Sequence, residues 1–203
     1  MYQTIENVRV WGTPLENAVS QAITCAQHGQ VVQVLLMADH HKGYSQPVGG
    51  VVVYDGQISP SGVGYDTRKG ATPSAPGQLG FIGGSMGDYS VIVRGKDSQE
   101  NKEAFYSTVH GAGRIMSRTE AAGRMNWKTK RRSGGKISME QMRQAIREFG
   151  VELRGAGVDE SPFVYKKLSE VLKAHEETLE ILHVLKPIGV CMAGADEFDP
   201  YKD

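Results

Sequence analysis

Val31-Val32-Gln33-Val34-Leu35-Leu36-Met37-Ala38-Asp39-His40-His41-Lys42 joins a near-continuous apolar run to a polar cluster. A run of this length, rich in β-branched residues, reads as a buried strand. The polar cluster then lies at the strand's C-terminal end, where α/β folds gather ligand-binding side chains. Upstream, Thr13 and Glu16 form a T-x-x-E capping box with Pro14 at the first helical position. An apolar stripe of Leu15, Val19, Ala22, Ile23 and Ala26 follows and stops near His28-Gly29. Downstream, residues 51–54 read as a second strand turning at Asp55-Gly56, and residues 90–94 as another. A helix is predicted over residues 100–108, resuming after Gly113. Ser138 and Gln141 make a second capping box, with Met139, Met142, Ile146 and Phe149 facing inward and Gly150 as terminator. Residues 151–153 read as a short strand. Ser161-Pro162 opens a third helix with Val164, Leu168, Val171 and Leu172 inward, and Pro187 parts two late strands over 179–185 and 188–192. Interspersed strands and helices give a mixed α/β (α+β) class, expected as a single domain over residues 1–203.

Composition narrows the function classes. Lys+Arg is 23 and Asp+Glu is 23, so the formal net charge is +0. A globally basic nucleic-acid binder and an acidic tail-like chain are both excluded, and any charged partner must meet a local patch. The cysteines, Cys25 and Cys191, are too few for a disulfide framework and lack paired metal spacing. No apolar run reaches the roughly 18 residues of a membrane span, and Glu6 and Arg9 do not suit a secretory signal. A cytoplasmic location without membrane contact is the expectation. Glycine is unusually dense: of 25 glycines, 13 lie between Gly43 and Gly95. Without a fixed period, such density points to sharp turns or close approach to a ligand. Residues 56–88 are accordingly expected to form loops and short strands.

Five constellations could carry chemistry. Asp39-His40-His41 can orient a proton or bind a divalent metal, or form a solvated polar loop. His110-Gly111-Ala112-Gly113-Arg114 sets a histidine before small residues, whose backbone N–H groups can approach an anion, and an arginine suited to phosphate. Such a histidine can attack phosphorus, because neutral imidazole is nucleophilic; the alternative is a helix break with a packed ring. Gly83-Gly84-Ser85-Met86-Gly87 is a tight turn that wraps a phosphate or merely connects two elements. From Arg114 to Lys136 eight cations, among them Arg118, Arg124, Lys128, Lys130, Arg131 and Arg132, accompany one acid, Glu120, with Trp127 inside the run. This is either a phosphate-backbone footprint with a stacking aromatic or an exposed charged loop. In Glu152-Leu153-Arg154-Gly155-Ala156-Gly157-Val158-Asp159-Glu160-Ser161-Pro162, which leads to Tyr165-Lys166, Arg154 and the two glycines suit an anion or a tight turn. His28, His175 and His183 read as structural or solvated, and Cys25 as buried and inert.

Taken in order, several of these strings resemble one family. They are Trp11-Gly12-Thr13-Pro14, Met37-Ala38-Asp39-His40-His41, Pro47-Val48-Gly49-Gly50, Gly62-Val63-Gly64-Tyr65-Asp66, Arg68-Lys69-Gly70-Ala71, Gly83-Gly84-Ser85-Met86-Gly87, His110-Gly111-Ala112-Gly113-Arg114-Ile115-Met116-Ser117-Arg118 and Lys186-Pro187-Ile188-Gly189-Val190. The chain is similar to the RtcB family of GTP- and manganese-dependent RNA ligases. Those enzymes join a 2′,3′-cyclic phosphate or 3′-phosphate end to a 5′-hydroxyl end, as in tRNA splicing and RNA repair. The resemblance implies His110 as the guanylylated nucleophile, Asp39 as the group that positions it and Arg114 as a phosphate-handling residue. It implies Ser85, Gly111, Ala112, Gly113 and Tyr165 around the guanylate, and Asp66 as a manganese ligand.

The resemblance has gaps. The family's long central segment, with its ligand cysteine and further metal-binding histidines, is missing between Asp66 and Thr67. The Pro and Val of the family's M-P-D-V-H string are Ala38 and His40 here, and the family's C-terminal lysine has no counterpart in residues 190–194. His41, or else His40, is left to fill one metal position. Two functions are therefore expected side by side: a ligase that uses GTP, manganese and single-stranded RNA ends such as tRNA halves, or a degenerate relative that binds RNA or nucleotide without turnover.

Overall fold

A strand that reads as continuously apolar must be covered on both faces, and residues 34–40 are. In the computed structural model, which describes residues 1–55, 66–126, 128–129 and 131–194, the first hairpin pairs β1 (Tyr2–Ile5) with β2 (Val8–Trp11). Helix α1 (Glu16–Ala26) then crosses to β3 (Val31–His41), which lies parallel to β2, and β4 (Val48–Tyr54) and β5 (Asp66–Lys69) follow antiparallel. The strands are ordered β1-β2-β3-β4-β5 in one sheet. Along β3, Val34 and Leu36 pack under α1 with Val8, Val10, Val19 and Ala22. Leu35 and Met37 face the opposite core with Trp11, Val51, Ile82, Val91, Val93 and Leu168. One strand thus serves two cores, as period-two geometry requires.

The rest of the chain builds against that second face. Strand β6 (Ala71–Pro73) and β7 (Leu79–Ile82) lead into β8 (Ser90–Gly95) and α2 (Gln99–Glu103), followed by β9 (Ser107–Val109), which pairs with β6. Helix α3 (Arg118–Ala122), the hairpin β10 (Arg124–Asn126) with β11 (Arg131–Ser133), and α4 (Met139–Phe149) come next. The chain closes with β12 (Glu152–Ala156), α5 (Leu168–Lys173), β13 (Leu179–Leu185) and β14 (Gly189–Gly194). Strand β13 joins β8 and β7 in a sheet ordered β13-β8-β7, while β14 lies parallel to β12. The mixed α/β class holds, with separate small sheets rather than one wound sheet.

Helix α4 forms as its sequence predicts. Ser138 accepts from the Gln141 N–H, Gln141 returns the bond, and Gly150 closes the helix at φ 79° in the left-handed region. Three expectations need correction. The box at Thr13 does not form: Leu15 is the N-cap, without a side-chain cap, and its N–H donates instead to His40 Nε2 at 3.0 Å. The helix over 100–108 stops at Glu103, because Phe105 and Tyr106 turn left-handed (φ 51° and 48°) and β6 captures residues 107–109. Ser161-Pro162 opens only a 3₁₀ turn, Pro162–Val164. Residues 164–166 are drawn off to pair with residues 113–115, so α5 begins at Leu168. Val164, Leu168, Val171 and Leu172 are nonetheless all buried.

Candidate active site

The site begins where β3 leaves its partners. Pairing with β2 ends at Leu36, and the β4 register shifts between Leu36 and His41. The freed backbone swings Asp39 toward the segment that follows β9. Asp39 is fully buried, and its Oδ2 accepts from His110 Nδ1 at 2.6 Å, from the His110 N–H at 2.9 Å and from the Gly111 N–H at 3.3 Å. One oxygen therefore fixes both a ring and the backbone that carries it. Gly113 makes the approach possible: at φ +74° a Cβ there would sit 2.0 Å from the Asp39 carbonyl oxygen. A fully buried carboxylate held this way is the ordinary means of orienting an imidazole and stabilising its charged form. The His110 pKa is raised, first by the hydrogen bond to Asp39, against the opposing pull of burial, with a Gly70 backbone hydrogen bond adding to it. The ring is not sunk in hydrocarbon, since its side chain is 40% exposed.

His110 opens on a cavity of about 540 Å³. Its walls include His41, Ser85, Gly111, Ala112, Gly113 and Tyr165, so the predicted nucleotide-lining residues converge on one space. The glycine turn reaches it because Gly83 bridges to Gly111. Gly84 can have no side chain there, as a Cβ would lie 2.0 Å from the Tyr89 carbonyl oxygen.

The arginines on that wall are held by Asp159 and Glu160, acids to which the sequence assigns no role. Arg114 donates to the Asp159 carbonyl at 2.6 Å, the Met116 carbonyl at 3.2 Å and Tyr165 Oη at 3.0 Å, and it pairs with Glu160 at 3.4 Å. Its guanidinium also lies 5.0 Å from the centre of the Tyr165 ring. The Tyr165 hydroxyl in turn donates to Glu160, and burial with this bond raises its pKa to about 12. Arg118, expected in the RNA-facing run, instead lines the cavity and pairs with Glu160 at 3.3 Å and Asp159 at 3.7 Å. The charge is local and opposite, so neither arginine belongs to an open basic patch. Nothing in the spacing of Asp159-Glu160 marks them as partners of an arginine 46 positions back.

The histidines divide. His40 is fully buried; its Nδ1–H donates to the Met37 carbonyl at 2.7 Å, and burial depresses its pKa to about 4. It serves α1 and is no metal candidate in this arrangement. His175 is also structural: it receives the Ala38 N–H at 3.1 Å and stacks on Trp11 at 6.1 Å. His41 alone of the three faces the cavity, with Nδ1 directed at the Asp39 carbonyl at 3.2 Å. The backbone of Asp66 pairs with Val53 in β5, but its side chain lies outside the described residues. Among the described residues no three His, Cys, Asp or Glu side chains gather as a metal site.

The remaining cations line the β10–β11 hairpin. Arg124, Lys128 and Arg132 are exposed, with one Arg132 nitrogen donating to the Gly123 carbonyl at 3.1 Å. Trp127, Lys130 and the side chain of Arg131 lie outside the described residues. Lys166, which follows the fifth constellation and to which the sequence assigns no role, is a further site residue. Its Nζ reaches the Ala38 and His40 carbonyls on either side of Asp39.

Comparison with known proteins shows the family. A family model described as tRNA-splicing ligase RtcB matches residues 21–67 and 67–193, and the break falls where the resemblance places the missing segment. The RNA-splicing ligase RtcB of Escherichia coli strain K12 is 37% identical over 130 residues, covering 64% of this chain and 28% of that protein. The tRNA-splicing ligase RtcB of Pyrococcus horikoshii is 33% identical over 138 residues, covering 61% and 15%. For the RNA-splicing ligase RtcB of Mycobacterium tuberculosis the figures are 34% over 128 residues, 55% and 26%. The chain thus spans little more than a quarter of these relatives at most. The strings around Asp39, Ser85 and His110, distant in sequence and joined around one cavity, lie within a match that runs over most of the chain, and the chain belongs to the RtcB family.

Proposed function

We propose that this chain carries the nucleotidyl-transfer site of an RNA ligase, with His110 as nucleophile. The observation that supports it is the single Asp39 oxygen, 2.6 Å from His110 Nδ1 and bound by two successive backbone N–H groups, beside a glycine-walled cavity. With Nδ1 committed to Asp39, the ring loses its other proton and Nε2 attacks the α-phosphorus of GTP. The P–N bond forms as the bond to the pyrophosphate oxygen breaks. Guanylate then passes to an RNA 3′-phosphate, breaking the P–N bond and forming a phosphoanhydride. The 5′-hydroxyl of a second RNA end displaces GMP from that anhydride and forms the phosphodiester. Asp39 holds the ring in one tautomer and stabilises its cationic form. The N–H groups of the 110–113 segment are used inward on Asp39 at His110 and Gly111. Anion contact therefore falls to the Gly83–Gly87 turn, with Ser85 and the small residues Ala112 and Gly113 leaving room.

GTP is the nucleotide and RNA the substrate in this reading, and manganese is the metal that the family implies. The described residues do not make up a manganese site: His41 faces the cavity, but no three-ligand group forms around it. That supports a second reading, a member that binds nucleotide or RNA without turnover.

Incubation with α-labelled GTP, with and without manganese, separates the two. The ligase reading expects an acid-labile label on the protein, lost in His110→Ala. No label at any metal concentration, with GTP binding intact, selects the binding reading.

A further inference from the structure

We infer that Lys166 is a positioning residue for His110, acting through the backbone on either side of Asp39. It rests on the proposed function for its catalytic consequence, though not for its geometry. Lys166 Nζ donates to the Ala38 carbonyl at 2.7 Å and the His40 carbonyl at 3.2 Å. Both carbonyls fall in the stretch of β3 that has left β2 and whose register to β4 shifts. A strand end without regular ladder pairing is fixed by other groups, His175 at the Ala38 N–H and Lys166 at the two carbonyls, and Asp39 lies at its centre. The ammonium takes the place of the ladder there.

The backbone of the same residue holds the other half of the site. The Lys166 N–H donates to the Gly113 carbonyl at 3.0 Å, the Ile115 N–H donates to the Val164 carbonyl at 2.8 Å, and Arg114 bridges to Tyr165. Lys166 therefore joins the loop bearing His110 to the strand bearing Asp39. Gly113 is pressed against the Asp39 backbone between them. The partly buried ammonium also sets a positive charge near the fully buried Asp39 carboxylate. Burial lowers the Lys166 pKa to about 8 against the attraction of Asp39. A surface lysine could do none of this, because its ammonium would bind water instead.

The test reads the Asp39–His110 hydrogen bond directly. The folded chain should show a far-downfield imidazole N–H resonance, assigned by its loss in His110→Asn. In Lys166→Met, still unfolding cooperatively, that resonance should move upfield or vanish, and His110 labelling by GTP should slow about 100-fold, as misplaced reacting groups do. Lys166→Gln, which keeps a donor but cannot reach both carbonyls, should behave likewise if the Met variant does not fold. Lys166→Arg, which keeps the charge, should recover part of the signal. An unmoved resonance in a folded Met or Gln variant overturns the inference, whatever the labelling. A wild-type chain that shows the resonance but takes no label removes the ligase function and leaves the role of Lys166 in place.

Discussion

His110 and His175 titrate in opposite senses, and each gives a prediction at the scale of one ring. The folded pKa of His110 is raised, chiefly by its hydrogen bond to Asp39. Its contribution to stability is full below about 6.5, the unfolded value, and is lost as pH rises through the folded value. The labelling rate should run the other way, rising with pH through a pKa above 6.5, because only the deprotonated Nε2 attacks phosphorus. Asp39→Asn should lower that pKa and slow the labelling, as an NMR titration of the His110 ring alongside the rate profile would show. Burial depresses His175 to about 4. Its stabilisation is present above the unfolded value and lost as pH falls from 6.5 toward 4, worth about 3 kcal/mol at full loss. His175→Gln, able to accept from Ala38 without titrating, should flatten the fall of the unfolding midpoint over that range. Gly113→Ala is the severe change: with φ +74° and a Cβ 2.0 Å from the Asp39 oxygen, it should remove all His110 labelling. Left-handed strain alone adds roughly 1–3 kcal/mol to its cost.

Two helix starts in this chain are stabilised by different means. The α4 box is local: Ser138 and Gln141 are three residues apart and bond each other's backbone. Ser138→Ala should therefore cost about 1 kcal/mol in chemical denaturation. Thr13→Ala, at the box that fails to form, should change stability by less than about 0.5 kcal/mol, because exposed Thr13 does not cap α1. The same contrast explains how much of the fold could be read from the chain. Periodicity found α1, β3, α4 and β13, whose signals lie within each element. It missed the early end of α2, which depends on left-handed Phe105 and Tyr106 and on capture of Ser107–Val109 by β6. It missed the late start of α5, since Tyr165 and Lys166 are claimed by the His110 loop. Local propensity loses to long-range pairing in both places. The site was more legible than its supports. Asp39 and His110 stand in motifs, 71 positions apart yet individually readable. Asp159, Glu160 and Lys166 act only through partners that folding brings to them.

With a formal charge of +0, the molecule as a whole offers no field to RNA, so affinity must come from particular side chains. Arg124 and Lys128 are exposed on or beside the hairpin, whereas Arg114 and Arg118 are neutralised by Asp159 and Glu160. Single-stranded RNA binding should weaken with salt, and Arg124→Ala or Lys128→Ala should each reduce the log–log slope by about 1. Arg118→Ala should leave that slope almost unchanged, and a gel shift at several salt concentrations distinguishes the two groups. Among the described residues, strand β5 is the outermost member of its sheet, paired on one side only, with β4. The family match divides at residue 67, within that strand. A splice point on a sheet's rim lets a long module be grafted or removed while β1 to β4 keep their register. Longer relatives and this chain can thereby share one histidine-bearing chassis.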